Sequence, residues 1–359
     1  MNDPPSLHFS DSLPKWLEER MLILLEVNAG PAVVRGATFE EGLSFTDLGG
    51  PGMHCTNGTI DNLAANEADA FEQLRTVLGY LPNSGTQIPP QVEIQDPVDR
   101  SCTDLRTIVP RRRERTYSSR RIISSTVDKS SFFELGALWG RTTITGLARL
   151  GGKPVGILAN NAEVLSGALD AHGSQKLIRH LKFCDVFNLP IIQFVDVPGY
   201  AIGTIAEREA TMRWGVELTK AYFTTTIPIF SVIVRKAYGV AGSMMLDARD
   251  PHMRVAWPSG EWGSLPLDGG IDVGHAAELR KIEREQGIEA RKARYLELDT
   301  EYRRLMNPVR TSNHFNIEEI IDPADTRALV ARWTRHMYES DLPERVAKRM
   351  GGILQPNFA

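Results

Sequence analysis

The sequence predicts an α/β protein with a mainly parallel sheet, and three observations lead to this prediction. Short apolar segments, mostly β-branched, lie at residues 154–160, 190–197, 228–234 and 254–257. Such segments are typical of strands that are buried on both faces of a parallel sheet. Helical patterns separate them, and the strand, loop and helix repeat about every 37 residues, which indicates βαβ units with right-handed crossovers.

The connecting helices are predicted from apolar spacing and from helix-start signals. Residues 177–184 place apolar side chains at helical spacing before the second strand. Thr204 and Glu207 match a T-x-x-E capping box, which predicts a single helix that begins there and extends through Tyr222. Residues 275–306 are highly charged and predict one or two solvent-flanked helices.

Composition excludes several classes of protein. The chain has 359 residues, of which 42% are hydrophobic and 24% are charged, as in an average globular protein. These values exclude a wholly disordered chain, a collagen-like repeat and a coiled coil. The net charge of -4 gives no overall electrostatic reason to expect binding to nucleic acid or to an anionic membrane.

Cysteine and histidine spacing argues against a metal site. The 3 cysteines form no CxxC pair, and the 8 histidines show no metal-ligand spacing. We therefore expect no metal in this chain. No segment approaches the ~20 apolar residues of a membrane span, so a cytoplasmic protein is expected.

Two segments upstream of the regular pattern differ in composition from the rest. Residues 79–107 are rich in Pro, Ser, Asp and Gly and are interpreted as a linker. Six arginines follow within residues 111–121. They form either a solvated loop or a contact for a polyanion such as the phosphates of coenzyme A, because guanidinium pairs well with phosphate.

Glycine and small residues lie directly after the predicted strands. Gly167 and Ala168 follow the first strand, Gly199 follows the second, and residues 238–243 follow the third. Ligands of open α/β sheets bind beyond the carboxyl ends of strands, and a helix start there presents unpaired backbone N–H groups. Two such turns would clamp a developing oxyanion; the alternative is that these glycines only form tight turns.

Several motifs in the sequence resemble one enzyme family. They include LANNAEVLSGALDAHGSQKLIRHLKFCDVFNLPIIQFVDVPG at 158–199, RKAYGVAGSMM at 235–245, VAWPSGEWGSLPLDGGIDVG at 255–274 and IEEIIDPADTRALV at 317–330. DLGGPGMH at 47–54 and AFEQLRTVLGYLP at 70–82 are similar to the link between that family's two halves. Together they resemble the carboxyltransferase β subunit of biotin-dependent acyl-CoA carboxylases of the propionyl- and acetyl-CoA type.

The resemblance implies a crotonase-like superhelix of ββα units. It implies one complete C-terminal domain, with a remnant of the N-terminal domain. On this basis residues 1–50 are an N-terminal extension with that remnant, in which 24–38 resemble its last strand and helix. Residues 51–110 are a linker with a helix, and residues 111–359 are the C-terminal carboxyltransferase domain.

The resemblance also implies the site residues. The family's Gly-Gly-Ala turn aligns with Gly239, Val240 and Ala241, where backbone N–H groups stabilise the charge on the ureido oxygen of biotin. Gly167 and Ala168 match the other turn over the active site.

The resemblance also assigns residues around the bound biotin group. Gly199, Tyr200 and Tyr238 lie where the family holds biotin, and Ser243 falls where members carry a residue that governs acyl-chain size. Val240 replaces a family glycine, and its Cβ is expected to forbid a positive φ or to crowd the biotin ring.

Cofactor and partners follow from the resemblance in the same way. Biotin arrives on a separate carboxyl carrier protein, since no biotinyl Ala-Met-Lys-Met segment occurs in the chain. Acyl-CoA is the substrate, and a homo-oligomer or a partner subunit supplies the acyl-CoA-binding domain. Two alternatives stay open: a biotin-independent acyl-CoA or acyl-carrier decarboxylase or acyltransferase of a specialised pathway, and a non-catalytic scaffold subunit.

Overall fold

The apolar segments of the sequence form the strands of one mixed sheet in the computed structural model. The structure describes residues 31–44, 47–48, 51–112, 115–246, 249, 253–264, 267–314 and 316–352. The strands are β1 Phe133–Leu135, β2 Thr143–Leu150, β3 Lys153–Asn160, β4 Ile191–Val197, β5 Ile229–Tyr238, β6 Met253–Ala256, β7 Glu261–Gly263 and β8 Glu319–Ile320. The predicted strands 154–160, 190–197, 228–234 and 254–257 are confirmed as β3 to β6.

Strand pairing confirms the mainly parallel sheet. The order is β1-β2-β3-β4-β5-β6-β8, and β7 pairs with β5. β2 runs antiparallel to both of its neighbours, β1 and β3. From β3 onward the pairs are parallel. The carboxyl ends of β3, β4 and β5 therefore lie at the same edge, where the glycine turns follow.

Among the described residues, helices α1 to α4 precede the first strand, and the others lie between strands or after the last strand. They are α1 Pro31–Thr38, α2 Pro51–Asn57, α3 Glu67–Tyr80, α4 Ser119–Thr126, α5 Ala171–Val186, α6 Thr204–Arg208, α7 Thr211–Thr224, α8 Gly239–Met245, α9 Leu267–Gly274, α10 Ala276–Gln286, α11 Ile288–Leu305, α12 Pro308–Asn313, α13 Thr326–His336 and α14 Leu342–Met350.

Both faces of the sheet are buried, as the continuous apolar segments predict. On one face alternate residues such as Ile157, Phe194 and Val232 pack with α4 and α13 in a single apolar cluster. On the other face α5 packs against α7 and the strands. A buried hydrogen bond also joins this face to its helices: the Tyr222 hydroxyl on α7 donates to the Gln193 amide oxygen on β4.

The prediction of a single helix that begins at Thr204 is wrong. Gly203 is the residue that precedes the first helix, and α6 ends at Arg208. Ala210 then adopts a left-handed conformation with φ 55°, and α7 begins at Thr211. A left-handed alanine is unusual because its Cβ approaches the carbonyl oxygen, and the sequence carries no signal for it.

The charged segment 275–306 forms two helices, as predicted. Gly287 separates α10 from α11 with φ 89°, a conformation that glycine adopts without a Cβ clash. Arg294 of α11 donates to Glu278 of α10 at 2.7 Å, and His275 lies 2.9 Å from both Glu278 and the Tyr302 hydroxyl.

Contacts divide the chain into two units, Met1–Leu74 and Arg75–Ala359. In the first, α1 covers the helical part of the segment 24–38, and residues 24–30, which the resemblance assigns to a strand, lie outside the described residues. In the second, the irregular segment 81–102 is bonded to the sheet domain: Asn188 donates to the carbonyls of Gly85 and Gln87 at 2.9 Å.

A buried histidine predicts how stability depends on pH. Burial, with repulsion from Lys176 and Arg179, lowers the pKa of His180 from 6.5 to about 3. Between these values the unfolded chain binds a proton that the folded chain does not, so stability falls as pH falls below 6.5. At about pH 4.5 the loss is about 3 kcal/mol relative to neutral pH.

Replacing His180 with a residue that does not titrate should remove this loss of stability at acidic pH. Urea unfolding of His180→Gln near pH 7 and near pH 4.5 should show a smaller acid loss than the unsubstituted protein. His336→Gln is the matched control, because the His336 side chain is 68% exposed. Identical acid losses in His180→Gln and in the unsubstituted protein would contradict this assignment.

Candidate active site

A left-handed turn follows β3 and precedes α5. We call residues 165–168 turn A. Leu165, Ser166 and Gly167 have φ values of 46°, 54° and 85°. Gly167 is required here, because a Cβ on it would lie 2.3 Å from the Asp196 carbonyl oxygen. Turn A is thus held against the end of β4.

Two backbone N–H groups of turn A donate hydrogen bonds to carbonyls at the start of the turn. The N–H of Gly167 donates to the Val164 carbonyl at 2.9 Å, and that of Ala168 donates to the Leu165 carbonyl at 3.0 Å. Asp170 then caps α5 by accepting from the Gly173 N–H at 2.7 Å. Turn A therefore contributes its shape to the site, with these two N–H groups occupied.

The segment after β4 lies beside turn A. Leu169 donates to the Gly199 carbonyl at 3.0 Å, and residues 169 and 200 form a parallel β-bridge. The Tyr200 hydroxyl lies 3.3 Å from the Gly215 carbonyl and 3.6 Å from the Met244 sulfur on α8. Gly199 has φ 136°, and a Cβ on it would meet nothing within 4 Å, so space is open beside it.

A second turn lies at the end of β5. We call residues 239–241, the first turn of α8, turn B. Gly239 takes the positive φ of 60°, and Val240 lies within the helix. The positive φ is therefore taken by the preceding glycine, so the Cβ of Val240 does not conflict with the backbone of turn B. The first N–H groups of a helix have no intrahelical acceptor, so turn B presents main-chain donors.

The side chains of turn B and its neighbours differ in exposure. Val240 is 69% exposed and Ala241 is fully buried. Ser243 is exposed, and its hydroxyl donates to the Gly239 carbonyl at 3.1 Å. Tyr238 is buried and donates to Glu261 at 2.7 Å. The isopropyl group of Val240 thus borders the open side of turn B.

A buried charged cluster that the sequence interpretation missed lies between the two turns. Asp196, near the end of β4, accepts hydrogen bonds from Tyr117 at 2.7 Å and from the Arg235 guanidinium at 3.1 Å. It also accepts from the backbone N–H of Lys236 at 3.0 Å. The only sequence signal was a set of charged residues inside otherwise apolar strands.

Burial changes the titration of this cluster. Burial and the Asp196 carboxylate raise the pKa of Tyr117 well above its usual value, so its hydroxyl stays protonated. Burial lowers the pKa of Lys236, and Asp196 opposes the shift. The cluster is therefore a compensated set of charges and not a free acid or base.

The described arginines of residues 111–121 do not form one basic surface, because they have different surroundings. Arg120 pairs with Glu134 at 2.6 Å, and Arg121 lies 3.9 Å from Asp104. Arg111 lines a cavity of about 740 Å³ that Arg106 and Trp257 also line. Arg106 already pairs with Asp322.

Metal-ligand groups and membrane-spanning helices are both absent from the described residues. In that part of the chain no three His, Cys, Asp or Glu side chains are grouped to hold a metal ion. No helix within the same residues has the length and apolar character needed to cross a bilayer.

Comparison with known proteins identifies the family. A family model described as the carboxyl transferase domain matches residues 18–352. The chain belongs to the carboxyl transferase domain family. This confirms the resemblance seen in the sequence motifs.

Carboxyl transferase relatives match most of this chain. The carboxyltransferase subunit of propionyl-CoA carboxylase from Haloferax mediterranei is 34% identical over 90% of this chain and 62% of its own length. The mitochondrial propionyl-CoA carboxylase beta chain of Homo sapiens is 36% identical over 84% of this chain and 54% of its own length. This chain therefore spans little more than half the length of these relatives.

Solved carboxyl transferase structures confirm the fold. The transcarboxylase 12S structure, solved as a hexamer with methylmalonyl-CoA bound, matches 87% of this chain and 59% of its own chain. The TM-score is 0.78 at 32% sequence identity. The predicted crotonase-like α/β fold is thus confirmed.

Proposed function

We propose that this chain is a carboxyltransferase subunit that moves a carboxyl group from carboxybiotin to the α carbon of an acyl-CoA. The observation that carries the proposal is the family match over residues 18–352, which includes both turns at the carboxyl edge of the sheet. The propionyl-CoA carboxylase names of the relatives support the same reaction class.

The residues at this edge fit a biotin group brought by another protein. Turn B offers backbone N–H groups at a helix start, and the space beside Gly199 is open. Val240 and Ser243 are exposed at its mouth. The carboxylated biotin, when bound, supplies the carboxyl group, and Gly199 and Tyr200 would hold it. Tyr238 is buried and bonded to Glu261, so it would support turn B from beneath and not touch biotin.

In this proposal the chain's own contribution is electrostatic. The N–H groups of Val240 and Ala241 would donate to the oxygen on which negative charge develops, and Gly167 and Ala168 would form the facing wall. Donors that are fixed before the reaction need no reorganisation, which is why such sites accelerate acyl and carboxyl chemistry. No ionisable side chain of this chain is needed at the reacting atoms.

Acyl-CoA is proposed to bind between this chain and another subunit or a second copy. Apolar side chains on α6, α7 and α8 support a partner surface, since Ile205 is 70% exposed, Val216 is 64% exposed and Val240 is 69% exposed. Large exposed apolar patches mark interaction sites. The biotin carboxyl carrier protein is the second proposed partner.

The reaction can be followed in the reverse direction. The purified chain is mixed with radiolabelled methylmalonyl-CoA or malonyl-CoA, and CO2 release is measured with and without biotin or a biotinyl carrier. Each mixture is run with and without the proteins that co-purify with the chain. We expect release only when both biotin and the partner are present, and avidin should abolish it. Release by the isolated chain, unaffected by avidin, would contradict the proposal and favour the biotin-independent decarboxylase.

A further inference from the structure

Lys236 lies between the two turns of the candidate site. It is on β5, three residues before turn B, and its side chain is only 15% exposed. Its ammonium group donates to the Ser166 carbonyl in turn A at 2.8 Å. Its backbone N–H donates to Asp196 at 3.0 Å. One residue thus joins the strand that leads into turn B to the backbone of turn A.

Two buried residues complete a ring of hydrogen bonds. The Asn160 side-chain amide donates to the Gly167 carbonyl at 3.1 Å. The Asn160 side-chain oxygen accepts from the backbone N–H of Asp196 at 3.1 Å. Adjacent carbonyls of turn A are therefore held by side chains from two different strands, β3 and β5, and Asp196 on β4 joins those strands.

Turn A needs such external support because of its backbone conformation. Leu165 and Ser166 are not glycines, yet both have positive φ. Each costs roughly 1–2 kcal/mol in this region and persists only when the surroundings fix it. Within the turn the hydrogen bonds come only from the N–H groups of Gly167 and Ala168. The carbonyls of Ser166 and Gly167 are held instead by Lys236 and Asn160.

We propose that Lys236 is a positioning residue that fixes turn A relative to turn B, with Asn160 as its counterpart on the next carbonyl. The inference rests on the proposed carboxyl transfer. Asp196 keeps Lys236 in place, since its carboxylate lies 3.7 Å from the Lys236 ammonium. The Arg235 guanidinium, 2.9 Å from the same carboxylate, fixes Asp196 in turn. Lys236 acts through the backbone of turn A, so its loss should impair catalysis more than binding.

The first test compares three single variants in the carboxyl-transfer assay. Lys236→Met keeps an unbranched apolar side chain, shorter by the ammonium group, and removes the donor. We expect kcat to fall about 10- to 100-fold because small displacements of a clamp are costly. KM for the acyl-CoA should change little. Lys236→Arg retains a cationic donor and should restore most of the rate. Lys182→Met, on the exposed face of α5, is the matched control and should leave kcat unchanged.

The second test does not need activity. Hydrogen exchange at the amides of Gly167 and Ala168 should be about tenfold faster in Lys236→Met, the change expected from losing one hydrogen bond to a charged group. The amides of α5 should exchange as before. If the chain shows no carboxyl transfer in any mixture, the proposed function fails, and this exchange measurement still decides whether Lys236 holds turn A.

A double-mutant cycle separates positioning from a general loss of stability. Lys236→Met and Asn160→Ala release neighbouring carbonyls of the same turn, so their effects on kcat should be non-additive. Additive effects, or unchanged exchange at Gly167 and Ala168 in Lys236→Met, would overturn the inference. An unchanged kcat in Lys236→Met would overturn it as well.

Discussion

Ala241→Pro is expected to lower the turnover of carboxyl transfer by about 10²–10³, the usual effect of losing one oxyanion donor. Proline has no N–H, and its fixed φ is compatible with the first turn of a helix. Ala241 is the third residue of α8, so the removed group is one of those that lack an intrahelical acceptor. The measurement is steady-state CO2 release with biotin and partner present.

Two variants of the exposed residue Val240 test the neighbouring N–H group of turn B. Val240→Pro removes the neighbouring donor where the ring has room, since the Val240 side chain is 69% exposed. Its expected loss is similar to that of Ala241→Pro. Val240→Gly keeps the N–H and removes the isopropyl group, so its turnover should equal or exceed that of the unsubstituted chain. Full activity in both proline variants, with unchanged circular dichroism, would show that the chemistry lies elsewhere.

The positions of strands β3 to β6 along the chain were predictable from local sequence. Segments such as 154–160 and 190–197 are apolar without alternation because both faces of the sheet are covered. Glycine after a strand was an equally local signal, and Gly167 and Gly239 do adopt the positive φ that glycine permits. These features depend on neighbouring residues only.

What the sequence did not predict depends on contacts between distant residues. Asp196 was part of an apolar segment, and its partners Tyr117 and Arg235 lie 79 and 39 residues away. The break between α6 and α7 falls at Ala210, a residue type with no preference for a left-handed conformation. In both cases tertiary packing determines the local structure.

The contacts of residues 79–107 also could not be predicted from local sequence. The composition of this segment indicates a linker, and in the structure the segment is bonded to the sheet domain by side chains from far along the chain. Arg327 of α13 donates to the carbonyl of Pro97 at 3.0 Å across a separation of 230 residues. No pattern within residues 79–107 contains that information.

Loss of the Arg327 side chain should destabilise the fold strongly. The side chain is fully buried, and its guanidinium lies 2.8 Å from Asp128 and 3.1 Å from Asp96. It also donates to the carbonyl of Thr126 at 3.0 Å. Removing it leaves the buried carboxylate of Asp128 without its cation, and breaking a buried pair in this way costs about 3–5 kcal/mol.

Arg327→Leu is therefore expected to lower the free energy of unfolding by about 3–5 kcal/mol in urea titrations. Arg327→Lys should lose less, because it keeps the charge but not the planar fork of donors. Arg332→Leu is the matched control on the same helix: Arg332 is exposed, and surface changes of this kind stay within about 0.5 kcal/mol. Equal stabilities of Arg327→Leu and Arg332→Leu would contradict the expected contribution of the buried Arg327–Asp128 pair. A large loss confined to Arg327→Leu would support the buried contacts of Arg327 with Asp128, Asp96 and Thr126 as the source of that stability.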